Sequence, residues 1–295
     1  MIHHLTALVL AFVAAVCIDA GLLLLKVRGD RVAGAAEGRV RALFVGYARD
    51  PLWLLGLLFQ PLGYGLYLWA LELAPLHLVQ AVMSSGVIIF VLFAVSVLGE
   101  RLTGFEWGAI GSVIVGMILL GVSLTPDAES ARPHSDPYIV LYLSLILVGL
   151  SALTWFAPAV LGTSDQRGTA VAAASGILLG LASIYARGLA LVVADSRAGE
   201  GLGRAVASPY AWLTLLANLV GFALLLAAFR EGRASIVLAL SATLSNIVPI
   251  LAAMLALGER LPSDHWLAAF RLLALVLTLG GAALLVRVNP SGLDR

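Results

Sequence analysis

One acidic residue, Asp19, lies within a long apolar run near the amino terminus, between Ile18 and Ala20. A charged side chain at the centre of a bilayer costs about 3 kcal/mol on insertion scales, so an acid at that depth is a candidate for function. We interpret Asp19 as a binding site for a cation, such as a metal ion, or for a proton. The alternative is a protonated or hydrogen-bonded structural residue. Arg187, in a later apolar run, is its candidate partner unless its side chain extends to the membrane surface.

Other polar residues and two prolines interrupt the apolar runs. Pro61 and Pro249 each remove a backbone donor and free a carbonyl four residues earlier, so we predict a helix break at both. Carriers present such backbone groups to solutes near the membrane midplane. The alternative is ordinary hydrogen bonding between packed helices. With Asp19 and Arg187, the candidate substrate-binding residues are Gln60, Tyr64, Asn218 and Asn246.

The elements that carry these residues are predicted to be membrane helices. Apolar residues make up 61% of the 295-residue chain and charged residues 12%, whereas a soluble domain has about 25% charged residues. A bilayer requires about 20 apolar helical residues per span. Nine runs qualify, near 5–25, 51–71, 77–98, 106–124, 138–160, 169–193, 209–229, 235–257 and 265–287. The predicted fold is therefore an all-α integral membrane protein.

A charged corner occurs twice. "LGERLTGFEW" occupies 98–107 and "LGERLPSDHW" occupies 257–266, an offset of 159 residues. Gly99 can end a helix in the left-handed conformation, and Thr103 and Glu106 have the spacing of a capping box. We favour a structural corner over a gate that exchanges ion pairs. The four charged residues concerned are Glu100, Arg101, Glu259 and Arg260.

The offset relates spans two to four to spans seven to nine. Span one matches span six by position, although their sequences match poorly, and span five is left as a connector. An odd connector inverts the second unit, which is a recurring plan in secondary transporters. The predicted organisation is a first repeat over 1–124, an outside loop and connector helix over 125–161, and a second repeat with a short tail over 162–295.

The basic residues predict the orientation. Cytoplasmic loops retain lysine and arginine, and the segment 26–50 holds Lys26, Arg28, Arg31, Arg39, Arg41 and Arg49. We therefore expect this segment and the carboxyl terminus in the cytoplasm, and the amino terminus outside. The predicted location is the inner or plasma membrane, in a bacterium on the grounds of the arginine-rich, lysine-poor composition.

Several classes are disfavoured by the sequence. A net charge of +1 provides no basic field for nucleic acid. The sequence shows no nucleophile–base pair, metal triad or nucleotide loop, so we do not expect an enzyme. The single cysteine, Cys17, cannot form an intrachain disulfide. The expected partners are the lipid bilayer and a small solute or cation, and the oligomeric state is left open.

Three stretches carry a family resemblance: "RDPLWLLGLLFQPLGYGLYLWALELAPLHLVQAV" at 49–82, "VLFAVSVLGERLTGFEWGAIGSVIVGMILLG" at 91–121 and "GFALLLAAFREGRASIVLALSATLSNIVPILAAMLALGERL" at 221–261. The chain resembles the drug/metabolite transporter superfamily of EamA-like carriers. By span count it is most similar to the NIPA-type branch of magnesium transporters. The resemblance implies a transporter with no bound cofactor. Leu25 stands where that branch tends to have Gln, and Asp19 stands where a small residue is usual.

The predicted function is secondary transport of a small solute by alternating access. A metabolite or drug-like compound is the first choice, with proton coupling as a candidate driving force. A NIPA-like transporter of Mg²⁺ or another divalent cation is the alternative. Mg²⁺ prefers six oxygen ligands, keeps several waters and is usually held by one or two carboxylates, and Asp19 offers one. A non-transporting membrane scaffold or regulatory partner is the alternative of another class.

Overall fold

The computed structural model describes residues 2–35, 40–73, 82–83, 86–123, 137–161, 166–194, 201–255 and 264–287. Eleven α-helices are found within these ranges, and the prediction of an all-helical chain is confirmed for them. Their bounds are α1 Ile2–Ala35, α2 Val40–Arg49, α3 Pro51–Leu73, α4 Gly86–Val97, α5 Gly104–Ser123, α6 Pro137–Leu161, α7 Arg167–Ala194, α8 Gly201–Ala207, α9 Pro209–Glu231, α10 Ala234–Leu255 and α11 His265–Arg287.

Among the described residues, six helices are long and apolar enough to cross a membrane. The spans are Thr6–Val32, Tyr138–Val160, Arg167–Ala186, Pro209–Glu231, Ala234–Ala252 and His265–Leu285. Gly86–Val97 and Gly104–Leu120 are shorter apolar helices, and α3 is a helix of 23 residues. Each of the nine predicted runs overlaps one of these helices. The chain is thus an integral membrane protein, while the inverted arrangement of nine spans stays a prediction.

The chain divides into two compact units. Unit one consists of Met1–Glu129, Arg233–Ile236 and Pro262–Leu285. Unit two consists of Ser130–Gly232, Val237–Leu261 and Val286–Arg295. These units are defined by packing, whereas the predicted boundaries at 124 and 161 follow the sequence repeat and remain predictions.

In unit one, α1 packs most extensively on α3, and glycines allow the close approach. A methyl group added to Gly56 would lie 2.9 Å from the carbonyl oxygen of Gly21, and one added to Gly63 would lie 3.0 Å from that of Ala14. Small residues let membrane helices pack backbone against backbone. This close packing therefore fixes the relative position of the two helices that carry Asp19 and Gln60.

A second close pair in unit one joins α5 and α11. A methyl group on Gly116 would meet the carbonyl oxygen of Ala274 at 2.9 Å. Nearby, the Ser112 hydroxyl donates to the carbonyl oxygen of Leu277 at 2.9 Å. The helix that follows the second charged corner thus packs on the helix that follows the first.

In unit two, α7 packs most extensively on α9 and then on α6. The buried Ser175 hydroxyl donates to the carbonyl oxygen of Gly221 at 2.8 Å and lies 3.2 Å from the Ser241 hydroxyl. Tyr185 donates to the Ser144 hydroxyl at 2.7 Å. Buried hydroxyl groups therefore tie α7 to its neighbours, as is common in helices packed within a membrane.

Candidate functional site

Asp19 lies on the buried face of α1. Small and aliphatic residues at intervals of three or four form this face, since Ala7, Ala11, Ala15, Leu22 and Leu25 are all buried. Asp19 falls on the same stripe by helical periodicity, and its side chain is only 7% exposed. The buried face of α1 therefore includes one carboxyl group, that of Asp19, inside unit one.

The Asp19 carboxyl has an unusual environment. Its Oδ2 atom is buried and has no hydrogen-bond partner in the part of the chain that the structure describes. Gly86 of α4 lies beside it, and a methyl group added there would overlap Oδ2. Buried polar atoms are nearly always hydrogen-bonded, so the lack of a partner keeps Asp19 a candidate for a binding role.

Gln60 is held against α1 one residue away from Asp19. Its Nε2 atom donates to the carbonyl oxygen of Ile18 at 3.0 Å, and the absence of a side chain at Gly21 leaves room for the amide. The structure thus brings Gln60 to the same stretch of α1 as Asp19. The bond is an interhelical contact between α1 and α3.

Tyr64 and the two prolines stand apart from that contact. The Tyr64 side chain is 55% exposed, and its ring centre lies 5.9 Å from that of Tyr67. Pro61 lies inside α3 and Pro249 inside α10, and both helices continue past them. Each proline thus removes one backbone donor, but the predicted break of the helix does not occur at either position.

The remaining candidates belong to unit two. Asn218 is exposed, and its Nδ2 atom donates to the Thr214 carbonyl oxygen within α9 at 2.9 Å. The Nδ2 atom of Asn246 donates to the Ala242 carbonyl oxygen within α10 at 2.8 Å. The side chain of Arg187 lies outside the described part of the structure, so its pairing with Asp19 stays a prediction.

The first charged corner has the predicted local structure. Gly99 adopts a positive φ of 69°, which favours glycine. The Glu106 carboxylate accepts from the Thr103 backbone N–H at 2.7 Å, and the Glu106 N–H donates to the Thr103 hydroxyl at 3.3 Å. These reciprocal bonds form the predicted capping box at the start of α5.

Glu100 makes a contact that the sequence analysis missed. Its carboxylate accepts from the backbone N–H groups of Ala234, at 2.5 Å, and Ser235, at 3.2 Å, and from the Ser235 hydroxyl. These donors belong to the first turn of α10, where the helix dipole favours a negative charge. The first corner therefore caps a helix that begins more than 130 residues later.

Arg233 completes this cluster. Its guanidinium forms an ion pair with Glu106, and its Nη1 atom donates to the carbonyl oxygen of Arg101 at 3.1 Å. Burial lowers the pKa of Arg233 from its ordinary value, although the nearby Glu100 acts in the opposite direction. These contacts support the structural interpretation of the first corner. Glu259 and Arg260, in the second, lie outside the described residues.

A second capping residue, Asp50, joins α1 to α3. Its Oδ1 atom accepts from the N–H groups of Leu52 and Trp53, at 3.1 and 2.9 Å. Arg28 of α1 donates to both carboxylate oxygens. These hydrogen bonds hold the pKa of Asp50 below its ordinary value, Arg28 having the largest effect. Ser208 caps α9 in the same way through Tyr210 N–H, at 3.2 Å.

The described ranges contain no group of three or more His, Cys, Asp or Glu side chains that could hold a metal ion. A cation at Asp19 would be held by one carboxylate, together with backbone oxygens and its own waters. Such a set suits transient binding more than a permanent metal centre.

Comparison with known proteins adds an independent result. The family described as "Magnesium transporter NIPA" matches residues 2–161. A curated relative from Arabidopsis thaliana, "Probable magnesium transporter NIPA9", is 29% identical over 247 residues, which cover 81% of this chain and 70% of the relative. No solved structure matches the chain. The segment matched by the family includes Asp19, Gln60, Gly86 and the first charged corner.

Proposed function

This chain belongs to the magnesium transporter NIPA family, and we propose that the solute it carries across the bilayer is Mg²⁺ or a similar divalent cation. The sequence-based expectation of a membrane transporter is confirmed by the family match and the relative. The match also reverses the order of the two solutes weighed from sequence, because it favours the cation over an organic metabolite.

The observation that carries this proposal is the unpartnered Asp19 carboxyl in α1. Its Oδ2 atom is buried and lacks a donor within the described residues, and Asp19 lies in the segment that the family matches. Mg²⁺ dehydrates reluctantly and is commonly held by one or two carboxylates and several waters. One carboxylate provides weak, reversible binding, which a carrier requires in order to release its solute.

We further propose two inverted four-span repeats with the amino terminus outside and the carboxyl terminus in the cytoplasm. Support comes from equivalent parts: α1 packs on α3 as α7 packs on α9, and Asp50 and Ser208 cap the corresponding helices α3 and α9. In this arrangement the first corner faces the cytoplasm. The cluster of Glu100, Arg101, Glu106 and Arg233 then closes that side, and its ion pair must loosen if the corner also acts as a gate.

The test is uptake into proteoliposomes that contain the purified protein, with a Mg²⁺ indicator inside. Wild type should accumulate Mg²⁺ in preference to Ca²⁺ and to a panel of amino acids and organic cations, with and without a pH gradient. Asp19→Asn keeps the shape and removes the charge, so Mg²⁺ uptake should be lost. Asp30→Asn is the matched control, because Asp30 is an exposed acid on the same helix, paired with Lys26 at 3.1 Å.

Each alternative gives a different result. Full Mg²⁺ uptake by Asp19→Asn would exclude a role for Asp19 in cation binding. If Asp19 instead couples transport to protons, uphill flux should disappear while solute exchange survives. Transport of an organic solute without Mg²⁺ would restore the first choice made from sequence. No flux of any solute would favour the membrane scaffold.

A further inference from the structure

Gly86 is the first described residue of α4 and lies beside the Asp19 carboxyl. A methyl group added to Gly86 would overlap Oδ2, and it would lie 3.4 Å from Cγ of Asp19 and 3.2 Å from Cβ of Ala15. Oδ2 thus occupies the space that any other residue at position 86 would fill with its own side chain. The carboxyl sits in a notch of α4 that exists because residue 86 is glycine.

This notch differs from the other close helix contacts of unit one. A methyl group on Gly56 or Gly116 would meet backbone carbonyl oxygens and aliphatic atoms of a neighbouring helix. At Gly86, by contrast, the atom nearest to an added methyl group is a carboxylate oxygen. General helix packing accounts for the other glycines, but it does not explain why an acid is directed at this one.

The chemistry of the notch favours a carboxyl group without a bound cation. Oδ2 has no donor in the described residues and lies where a side chain of residue 86 would be, a position 3.2 Å from the methyl group of Ala15. A bare charge is costly in such surroundings. Mg²⁺ also keeps several of its waters, and the close contact between Oδ2 and α4 leaves no space for a hydrated ion on that side of the carboxyl group.

We infer that the notch at Gly86 is a seat for the Asp19 carboxyl, in which Gly86 acts as a positioning residue while no cation is bound. Cation binding then requires the carboxyl to leave this seat. Binding and release would then involve separation of Asp19 from α4. The ligand assumed in this inference rests on the proposed function. The seat itself does not, because it follows from the contact between Asp19 and Gly86.

The test is the rate at which Asp19 reacts with a hydrophobic carbodiimide, which modifies uncharged carboxyl groups in apolar surroundings. Labelling of the full chain in lipid is followed by intact mass and peptide mapping, with Asp19→Asn as the blank. Wild type should react slowly because Oδ2 is covered. Gly86→Ala fills the seat and displaces the carboxyl, so labelling should become several-fold faster while the protein remains folded.

Gly116→Ala is the matched control, since its methyl group would meet the Ala274 carbonyl oxygen at 2.9 Å in another tight pair of unit one. Its labelling rate should equal that of wild type. An unchanged rate in Gly86→Ala would overturn the seat, and so would equal acceleration in both variants, which indicates general loosening. If Gly86→Ala does not fold, adding Asp19→Ala should restore folding, and failure to do so would also overturn the seat.

Mg²⁺ separates the seat from the proposed function. If the released carboxyl binds the cation, Mg²⁺ should slow labelling of Gly86→Ala, in which the carboxyl is already displaced. If labelling is faster in Gly86→Ala but Mg²⁺ has no effect, the seat stands and the assignment of Mg²⁺ to Asp19 is overturned. If Mg²⁺ protects Asp19 equally in wild type and Gly86→Ala and their rates are the same, the proposed function stands and the seat is overturned.

Discussion

Glu106 shows how much one side chain can contribute when it serves two partners. Its carboxylate is only 1% exposed. It closes the capping box with Thr103 and forms the ion pair with Arg233. A buried pair contributes little over an apolar pair of the same shape, but the loss of one partner leaves the other charge without compensation. Glu106 is therefore a position where neutralisation should be costly.

We predict that Glu106→Gln lowers the free energy of unfolding by about 3–5 kcal/mol, because Arg233 loses its ion-pair partner inside the protein. Arg167→Gln is the control: its pair with Glu231, at 2.9 Å, is largely exposed, so the loss should be below about 1 kcal/mol. Denaturant unfolding in detergent measures both. A second change, Arg233→Met, should recover part of the loss. Equal effects at the two pairs would contradict this prediction.

Asp50 gives the chain a pH dependence of known sign. Its pKa in the folded state is below the ordinary value of 3.8, because Arg28 and two backbone N–H groups stabilise the carboxylate. A group with a lowered folded pKa stabilises the fold fully above its unfolded pKa and loses that contribution as the pH falls through the folded value. The melting temperature of wild type should thus fall more steeply below about pH 4 than that of Asp50→Asn. Parallel curves for the two proteins would contradict this account.

At the scale of helices, the effect of a larger residue on the α1–α3 pair depends on which side of α3 the replaced glycine lies. Gly56 faces α1, where a methyl group would lie 2.9 Å from the Gly21 carbonyl oxygen and 3.0 Å from Cβ of Leu24. Gly65 lies on the same helix, and nothing is within 4 Å of its added methyl group. The two positions provide a matched pair in one element.

We predict opposite signs for the two alanine substitutions. Gly56→Ala should force the helices apart and destabilise the protein by about 1–3 kcal/mol, as overpacking does. Gly65→Ala should leave stability unchanged or raise it by up to about 1 kcal/mol, because alanine is the better helix former. Thermal unfolding in the same detergent compares them. Destabilisation by both substitutions would show that the open side of Gly65 is covered by something other than lipid.

Local signals account for what the sequence could predict. The positive φ of Gly99 and the Thr103–Glu106 capping box involve residues within one turn of each other, so their spacing was sufficient. The contact of Glu100 with α10 and that of Arg233 with Glu106 could not be predicted in this way. In each case the two partners lie more than 125 residues apart in the sequence. Gly86 carried no signal at all, since a glycine in the sequence gives no indication of which atom will lie opposite it in the fold.

One signal was present in the sequence and was missed. The stretch "GLLLLKVRG" at 21–29 corresponds to "GLASIYARG" at 180–188, again at an offset of 159 residues. The shared positions are Gly21/Gly180, Leu22/Leu181, Arg28/Arg187 and Gly29/Gly188. Both Gly21 and Gly180 are tightly packed, by α3 and by Val248 of α10 respectively. This match extends the repeat to spans one and six, and it pairs Arg187 with Arg28 by position.

At the scale of the whole molecule, the orientation of the two repeats in the membrane bears on how the protein transports its solute. Inverted repeats give a carrier two related halves that expose a site to opposite sides of the membrane in turn. A parallel duplication would place equivalent residues on the same side. In the proposed repeat the caps Asp50 and Ser208 are equivalent, so the side of the membrane on which each lies distinguishes the two arrangements.

We therefore predict that cysteines placed just before the two caps react from opposite sides of the membrane. Arg49 and Ala207 are both exposed, and Cys17→Ser removes the native thiol. In sealed cells an impermeant maleimide should label Ala207→Cys, which the basic loops place outside, and should reach Arg49→Cys only after permeabilisation. Labelling of both residues from one side would reject the inverted repeat. A reversed pattern would keep the repeat and overturn the orientation, placing the Glu100–Arg233 corner on the outer face.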